Sequence, residues 1–184
     1  NGEIYWTGYC YTILYLYGGD APARANCFVV GKNGTIRKNE SCDIFGSWVD
    51  QTSGTSDSLF SVKFFNVDTG FVVGQNGKVL RTYNNGRNWT ILNTSGTTQT
   101  LRRIIYTHDR TLYAVGDNGV AIKSTDNANT WTILNTNTTE RLTDIDFAGN
   151  DTLFISGTNG TLLKSTDAGT SWIGINTGVT VRLN

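Results

Sequence analysis

Acidic side chains and a single histidine are the groups in this sequence that could carry out acid–base chemistry. The glutamates are Glu3, Glu40 and Glu140, and each lies in or beside a predicted turn or terminus. Glycoside hydrolysis needs two carboxyl groups placed across the scissile bond, and the sequence offers no recognisable pair. His108 lies in a predicted turn beside Asp109, without a nucleophile at a familiar spacing. The sequence therefore predicts no catalytic residues and a protein that is not an enzyme.

Metal and redox chemistry have little support either. The cysteines are Cys10, Cys27 and Cys42, with no Cys-x-x-Cys pair and no histidine nearby. Three cysteines allow at most one internal disulfide, between two of these residues, and the sequence does not say which two. The acidic strand around Asp144 and Asp146 lacks a twelve-residue calcium loop. We predict no metal and no cofactor.

The strands and turns that would position these side chains are predicted from an internal repeat. Trp48, Trp89, Trp131 and Trp172 are separated by 41, 42 and 41 residues, and each closes a copy of one motif. Each copy has a Gly-x-Asn-Gly turn, a short strand that ends in a basic residue, and a Ser/Thr-x-Asp/Asn turn before the tryptophan. A repeat of about this length, made of strands and turns, indicates a β-unit that cannot bury its apolar face alone.

The third copy shows how each repeat folds. Its apolar and β-branched segments predict four short strands, and no window has helical periodicity. The predicted strands are Leu101–Tyr106, Leu112–Gly116, Val120–Lys123 and Trp131–Leu134. Asn118 and Gly119 tolerate the positive φ of a type I′ turn, which joins the second strand to the third. The predicted fold is all-β, a β-propeller-like array of four four-stranded repeats.

We predict one domain, 1–184, with repeats at about 10–50, 59–93, 101–135 and 142–176. Residues 3–7 and 179–183 are predicted to be terminal strands of incomplete units. Unpaired sheet edges must be covered or paired. These strands could close a ring with each other, pair with a neighbouring subunit, or belong to a longer propeller. A head-to-tail contact that does not close would give a filament.

The segment from Ser165 to Trp172 matches Ser-x-Asp-x-Gly-x-Thr-Trp except for Ser171. It resembles the Asp-box of the bacterial neuraminidase repeat, found in sialidase-like β-propellers. The full unit is still more similar to repeats of the photosystem II stability and assembly factor family, over residues 10–178. We predict a structural role for the Ser/Thr, Asp/Asn and Trp positions of this motif in all four copies. The short acidic side chain can accept hydrogen bonds from backbone N–H groups, and the indole can anchor the turn. These positions are Ser41, Asp43, Trp48, Thr82, Asn84, Trp89, Ser124, Asp126, Trp131, Ser165, Asp167 and Trp172.

The resemblance implies a propeller fold and says little about activity. Sialidase activity would require an arginine triad with a tyrosine and glutamate pair, and no copy has the Arg-Ile-Pro signature, since the one proline is Pro22. Two alternative functions follow from the resemblance. They are a carbohydrate-binding or sialidase-like propeller, and an assembly factor for a photosynthetic membrane complex.

Positive charge recurs at one offset of the repeat, at Lys38, Arg81, Lys123 and Lys164. This row could bind an acidic partner or a carbohydrate acid, and we favour the alternative that each side chain offsets a nearby Asp-box carboxylate at the surface. The chain has 15 basic and 15 acidic residues, which gives no overall attraction to nucleic acid. No apolar stretch approaches the length of a membrane span.

The sequence also suggests export. It contains no methionine and begins with Asn1, as a processed chain would. Candidate glycosylation sites are Asn33, Asn39, Asn88, Asn93, Asn137, Asn150 and Asn159. We therefore predict a secreted or cell-surface glycoprotein that acts as a non-catalytic scaffold for protein–protein assembly, as a filament or surface-structure subunit. Its expected partners are copies of itself or another protein subunit, with a glycan as an alternative.

Overall fold

The computed structural model describes residues 15–23, 26–41, 47–92, 95–149 and 151–183. These residues form four antiparallel sheets of four strands each, which we call blades 1 to 4. No α-helix occurs in these ranges, and none of their segments is a helix that could cross a membrane. The predicted all-β array of four four-stranded repeats is confirmed. The predicted strand at 3–7 lies outside the described residues.

Each blade is a meander in which consecutive strands are neighbours. Blade 1 contains β1 (Leu16–Ala23), β2 (Asn26–Gly31), β3 (Ile36–Asn39) and β4 (Trp48–Gln51). Blade 2 contains β5 (Leu59–Phe64), β6 (Gly70–Gly74), β7 (Val79–Thr82) and β8 (Thr90–Leu92). Blade 3 contains β9 (Leu101–Tyr106), β10 (Leu112–Gly116), β11 (Ala121–Ser124) and β12 (Thr132–Leu134). Blade 4 contains β13 (Leu142–Phe147), β14 (Leu153–Gly157), β15 (Leu162–Ser165) and β16 (Ile173–Gly174).

The turn between the second and third strands follows from Asn-Gly. Asn118 has φ 55° and Gly119 has φ 69°, as the type I′ prediction requires. The structure adds a second reason for the glycine. A Cβ on Gly119 would lie 1.9 Å from the carbonyl oxygen of Thr138, in the connection to the next blade. The same close approach recurs at the equivalent glycines of the other blades.

The blades stack in chain order. The first strand of each blade packs against the first strand of the next, so that β1, β5, β9 and β13 run along one side. The apolar core consists of three clusters, one between each pair of consecutive blades. Phe28 and Leu80 belong to the first, Phe71 and Ile122 to the second, and Tyr113 with Leu163 to the third. Each blade thus buries its apolar face against a neighbour.

Residues 179–183 form no strand, so the prediction of a terminal strand there is wrong. The segment makes isolated backbone bonds instead. Gly160 N donates to the carbonyl of Val181 at 2.7 Å, and Leu183 N donates to the carbonyl of Gly157 at 2.9 Å. A ladder of hydrogen bonds needs a neighbouring strand, and the described residues supply none along this segment. The first of these bonds matches the one from Gly119 N to Glu140 O, at 2.8 Å, in the connection between blades 3 and 4.

Candidate functional site

The Ser/Thr-x-Asp/Asn turns before the tryptophans, called box turns below, are organised by one side-chain carboxylate or amide and one hydroxyl. In blade 3, Asp126 Oδ1 accepts from the Thr130 backbone N at 2.9 Å and from the Ser124 hydroxyl at 2.9 Å. Ser124 Oγ in turn accepts from Ala128 N at 3.0 Å. The Thr130 hydroxyl donates to Asp126 Oδ2 at 2.7 Å. Both carboxylate oxygens of Asp126 therefore accept hydrogen bonds within their own turn.

The other boxes repeat this arrangement. Asp167 accepts from the Ser171 backbone N at 2.9 Å and from the Ser171 hydroxyl at 2.6 Å. Hydrogen bonds from the side chain and backbone of Thr130 hold the pKa of Asp126 at about 2, and those of Ser171 do the same for Asp167. Asn84 takes the same place in blade 2, where its Oδ1 accepts from Asn88 N at 2.9 Å and from the Thr82 hydroxyl at 3.1 Å. In blade 1, Asp43 lies outside the described residues.

The four tryptophans are not equivalent. Trp172 is 6% exposed, and its Nε1 donates to the carbonyl of Gly169 at 3.1 Å. Trp89 packs edge-on against Phe28 with ring centroids 6.3 Å apart, and Trp131 packs on the cluster between blades 2 and 3. Among the described residues, the buried indole nitrogens of Trp89 and Trp131 have no hydrogen-bond partner. Trp48, at the start of β4, is partly buried.

Two of the four basic residues, Arg81 and Lys123, reach forward to the following blade. Arg81 Nη1 donates to the carbonyl of Asn127 at 2.6 Å and to Asn129 Oδ1 at 2.9 Å, both in the blade 3 box. Lys123 Nζ donates to the carbonyl of Ala168 at 3.1 Å, in the blade 4 box. Both cations are bound to acceptors in the next box turn, an arrangement that neither interpretation of the charged row anticipated. Lys38 instead pairs with Glu40 at 3.0 Å.

Each basic residue belongs to a row of three side chains across the first three strands, which we call the forward row because it faces the next blade. Register pairs the three members directly in every blade. The forward rows are Asp20–Phe28–Lys38, Lys63–Phe71–Arg81, Ile105–Tyr113–Lys123 and Asp146–Phe154–Lys164.

In blades 1 to 3 the next blade covers the forward row. The central aromatic residues Phe28, Phe71 and Tyr113 are 1%, 0% and 2% exposed. Tyr113 shows how tight the contact is, because its hydroxyl donates to Ala168 O at 3.0 Å, the same carbonyl that Lys123 binds. Burial raises the pKa of Tyr113 to about 12, so the phenol keeps the proton that it donates.

The forward row of blade 4 has no such cover among the described residues. Phe154 is only partly buried, and Asp146 is exposed. Lys164 Nζ lies 5.7 Å from the Phe154 ring centroid, the one side-chain interaction it makes in the described part of the chain. Ile173 and Ile175, on the adjacent β16 and just after it, are 65% and 37% exposed. Within the described part of the chain, blade 4 thus presents an apolar surface that carries one acidic and one basic group.

Sequence reasoning found the basic member of the row and missed the aromatic one. The signal was present, because an aromatic residue precedes each basic residue by ten positions. A second missed contact holds the Gly-x-Asn-Gly turn to the connection before the first strand. Asn118 Nδ2 donates to Gln99 Oε1 at 2.7 Å, and Asn159 Nδ2 donates to Glu140 Oε2 at 2.9 Å.

The structure separates the candidate glycosylation sites. Asn33, Asn88, Asn137 and Asn159 are exposed. Asn39 is 1% exposed, and its amide oxygen accepts from both the backbone N and the hydroxyl of Ser41. The folded protein cannot present the Asn39 side chain for glycosylation, so the prediction of a glycosylation site at Asn39 is wrong. Asn93 and Asn150 lie outside the described residues.

The remaining candidate residues are the cysteines, the histidine and the aspartates of β13. Cys27 is disulfide-bonded, and Cys10 and Cys42 lie outside the described residues. His108 packs edge-on against Phe147 with ring centroids 5.1 Å apart. Asp144 pairs with Arg103 at 2.8 Å. The described residues contain no group of three or more metal-ligating side chains that could hold an ion.

Comparison with known proteins identifies the fold. The model of the DUF6242 β-propeller domain matches residues 47–183. An ancestral GH74 enzyme is 15% identical, with a TM-score of 0.68, over 85% of this chain and 23% of that one. The GH74 xyloglucanase from Xanthomonas campestris is 13% identical, with a TM-score of 0.66, over 88% of this chain and 29% of its own. This chain therefore spans about a quarter of the GH74 structures, and at such identities the likeness shows the fold alone.

YCF48 bound to D1 peptide is 16% identical over 90% of this chain and 83% of its own, with a TM-score of 0.40. At that score the likeness supports no argument about this chain. No curated protein matches the sequence.

Proposed function

This chain belongs to the DUF6242 β-propeller domain family, and we propose that it is a non-catalytic scaffold for protein–protein assembly. A propeller fold does not itself specify an activity, so the proposal rests on the surface of blade 4. The observation that carries it is the contrast between the buried forward rows of blades 1 to 3 and the partly buried Phe154. Exposed apolar surface with a polar rim is typical of protein interaction sites.

Asp-box side chains do not take part in this function. Asp126 and Asp167 accept hydrogen bonds on both carboxylate oxygens within their own turns, and a pKa of about 2 keeps both ionised. A general acid would need a raised pKa. We infer that the box residues stabilise each blade and that the forward row of blade 4 binds the partner.

The partner is more readily another protein than a second copy of this chain stacked head to tail. Such a filament would place blade 1 of one copy on blade 4 of the next, in the way that blade 2 lies on blade 1. The first strand of blade 1 has Asp20 where the first strand of blade 2 has Lys63, so Asp20 of one copy would lie against Asp146 of the other and two carboxylates would meet. Like charges at a contact are unfavourable. Sedimentation velocity of the purified chain at rising concentration tests this point, and we expect a monomer.

We propose that the scaffold works outside the cell. A disulfide at Cys27 supports an oxidising compartment, and four sequons are exposed. Treatment of the native protein with an endoglycosidase, followed by mass measurement, tests this proposal. An unchanged mass together with a reduced Cys27 would count against it.

Photo-crosslinking tests the assembly function directly. A photoreactive phenylalanine analogue would replace Phe154 in one sample and Tyr83, which is 55% exposed, in the matched control. We expect a protein adduct in the native host from position 154 and none from position 83. Glycan-array binding without any protein adduct at position 154 would overturn the proposal in favour of a carbohydrate-binding propeller. A photosynthetic-complex subunit as the adduct would favour the assembly-factor hypothesis.

A further inference from the structure

From the junction between blades 3 and 4 we infer a binding site for a carboxylate, in which Lys123 binds the carboxylate and β12 contacts a short apolar chain attached to it. The ligand is either a free small acid or an acidic side chain of another protein, because both present the same group. This inference goes beyond the proposed assembly function and does not rest on it, since the residues that line the site do not include the forward row of blade 4.

The site is a cavity of about 520 Å³ between the two blades. Blade 3 contributes Lys123 from β11 and both Ile133 and Leu134 from β12, and the box turn of blade 4 contributes Ala168 and Thr170. Ile133 is 57% exposed, so solvent reaches the apolar part of the lining. The volume is in the range of small-ligand sites in proteins, about 300–1,000 Å³.

Lys123 is only partly satisfied in this cavity. Within the described residues its Nζ makes one hydrogen bond, to the carbonyl of Ala168 at 3.1 Å, and the Tyr113 hydroxyl shares that acceptor. None of the ion pairs in the described part of the chain includes Lys123. An ammonium group has three donors, so Lys123 has donors left for a ligand.

The two earlier junctions show what the cation normally meets. In blade 1, Lys38 pairs with the carboxylate of Glu40 at 3.0 Å. In blade 2, Arg81 donates to the side-chain oxygen of Asn129 at 2.9 Å. Each of these cations thus has a side-chain oxygen, and one of the two oxygens belongs to a carboxylate. Among the described residues, Lys123 has no such oxygen.

A difference in the box turns explains the missing oxygen. Asn129 and Thr170 occupy the same position, three residues after Asp126 and Asp167. Asn129 Nδ2 donates to the carbonyl of Asp126 at 2.6 Å, while its Oδ1 accepts from Arg81. The Thr170 hydroxyl reproduces only the first of these bonds, to the carbonyl of Asp167 at 2.8 Å. Blade 4 therefore keeps the bond within the turn and lacks the acceptor for the cation.

A second difference enlarges the space. Tyr83, two residues after Arg81, places its ring 4.6 Å from the guanidinium group. Thr125 has the corresponding position after Lys123 and lines the cavity. Since threonine is much smaller than tyrosine, the junction between blades 3 and 4 is open where the preceding junction holds an aromatic ring.

The chemistry of the lining selects the ligand. A carboxylate only accepts hydrogen bonds, and its bond to an ammonium group is charge-assisted and stronger than one between neutral groups. Ile133 and Leu134 offer apolar surface beside the cation. The ligand that matches both features is a carboxylate on a short apolar chain.

NMR titration of the ¹⁵N-labelled chain with 4-methylpentanoate tests the site. The neutral isostere 4-methylpentanamide, at the same ionic strength, is the matched ligand. The readouts are the backbone amide signals of Thr132 and Thr170. We expect saturable shifts with a Kd on the order of 10 mM for the acid, and roughly tenfold weaker binding of the amide.

Thr170→Asn restores the residue that blade 3 has at this position, and should supply Lys123 with a side-chain acceptor and abolish binding. Lys123→Met, which removes the charge and keeps a long side chain, should also abolish it. The matched control is Thr52→Asn, at an exposed threonine outside the cavity, for which we expect the affinity of the parent.

Equal affinities for the acid and the amide would overturn the inference, and this comparison on the parent chain requires no variant to fold. Binding that persists unchanged in both Thr170→Asn and Lys123→Met would overturn it as well. A capped peptide with a central glutamate, with its glutamine counterpart as control, distinguishes the two sources of the carboxylate. Tighter binding of the glutamate peptide than of 4-methylpentanoate assigns the site to an acidic side chain of a protein, and the reverse order assigns it to a small acid.

Discussion

Gly119 lies where the turn of blade 3 and the connection to blade 4 come into contact, and its replacement by alanine is the most direct test of how the blades are joined. Gly96 is the matched control. The two glycines have nearly identical backbone angles, with φ 69° and 68°, so both variants pay the same cost of about 1–2 kcal/mol for an L-residue in the left-handed region. They differ in what a Cβ meets, which is Thr138 O at 1.9 Å for Gly119 and Ile133 Cδ1 at 3.8 Å for Gly96.

The clash sets the expected magnitude. Real Cβ atoms do not approach other atoms within 3.0 Å, so the connection must move by more than an ångström. That movement removes the bonds from Gly119 N to Glu140 O and from the Thr136 hydroxyl to Gly119 O, each worth about 1 kcal/mol. We expect Gly119→Ala to lower the free energy of unfolding by about 3–4 kcal/mol, and Gly96→Ala by about 1–2 kcal/mol.

Urea denaturation followed by tryptophan fluorescence measures both variants, and equal slopes would show that the comparison is of native-state stability. In thermal unfolding the difference corresponds to roughly 4–8 °C for a chain of this size. Equal destabilisation by the two substitutions would refute the reasoning, because it would mean that the connection does not lie against the turn.

Three further predictions concern single turns. Trp172→Phe should destabilise the protein by about 1 kcal/mol more than Trp131→Phe in urea denaturation, since only Trp172 loses an indole hydrogen bond; equal effects would contradict this. Asp126→Asn should make the stability of the protein less sensitive to acid. The pKa of Asp126 in the folded protein is about 2, below its ordinary value of 3.8. The carboxylate therefore stabilises the fold above about pH 4, and this contribution is lost as the pH falls toward 2. Thermal unfolding across that pH range in both proteins is the measurement, and parallel curves would exclude the role. Ala168→Gly should raise the free energy of unfolding by about 0.5–1 kcal/mol, because Ala168 has φ 53°, and a decrease in the urea midpoint would argue against relief of strain.

The local sequence pattern was enough to predict the strands and the turns that join them. In the third repeat, Leu101–Tyr106 and Leu112–Gly116 agree with β9 and β10 at both ends, and the fourth strand begins one residue after the predicted Trp131. These elements depend on side-chain alternation and on Asn-Gly, both of which are properties of neighbouring residues. Register within a blade follows from them.

Contacts between blades could not be predicted in the same way. The spacing of Arg81 and Lys123 gave their place on the third strand, but the acceptors at Asn127 and Ala168 lie in the next repeat, 46 and 45 residues away. Nothing in a single repeat tells which turn a side chain reaches, because this depends on how two sheets stack. The strand prediction for residues 179–183 was wrong for a related reason, because a strand-like sequence forms a strand only beside a partner strand.

The forward hydrogen bonds also bear on how such an array could lengthen. Blade 3 carries both a donor for the unit that follows it, at Lys123, and acceptors for the unit before it, at Asn127 and Asn129. An in-frame gene duplication of this period would therefore insert a unit already equipped at both junctions, with no compensating mutation elsewhere. Shorter or longer duplications would leave one donor facing the wrong turn, which favours growth of the gene in whole periods.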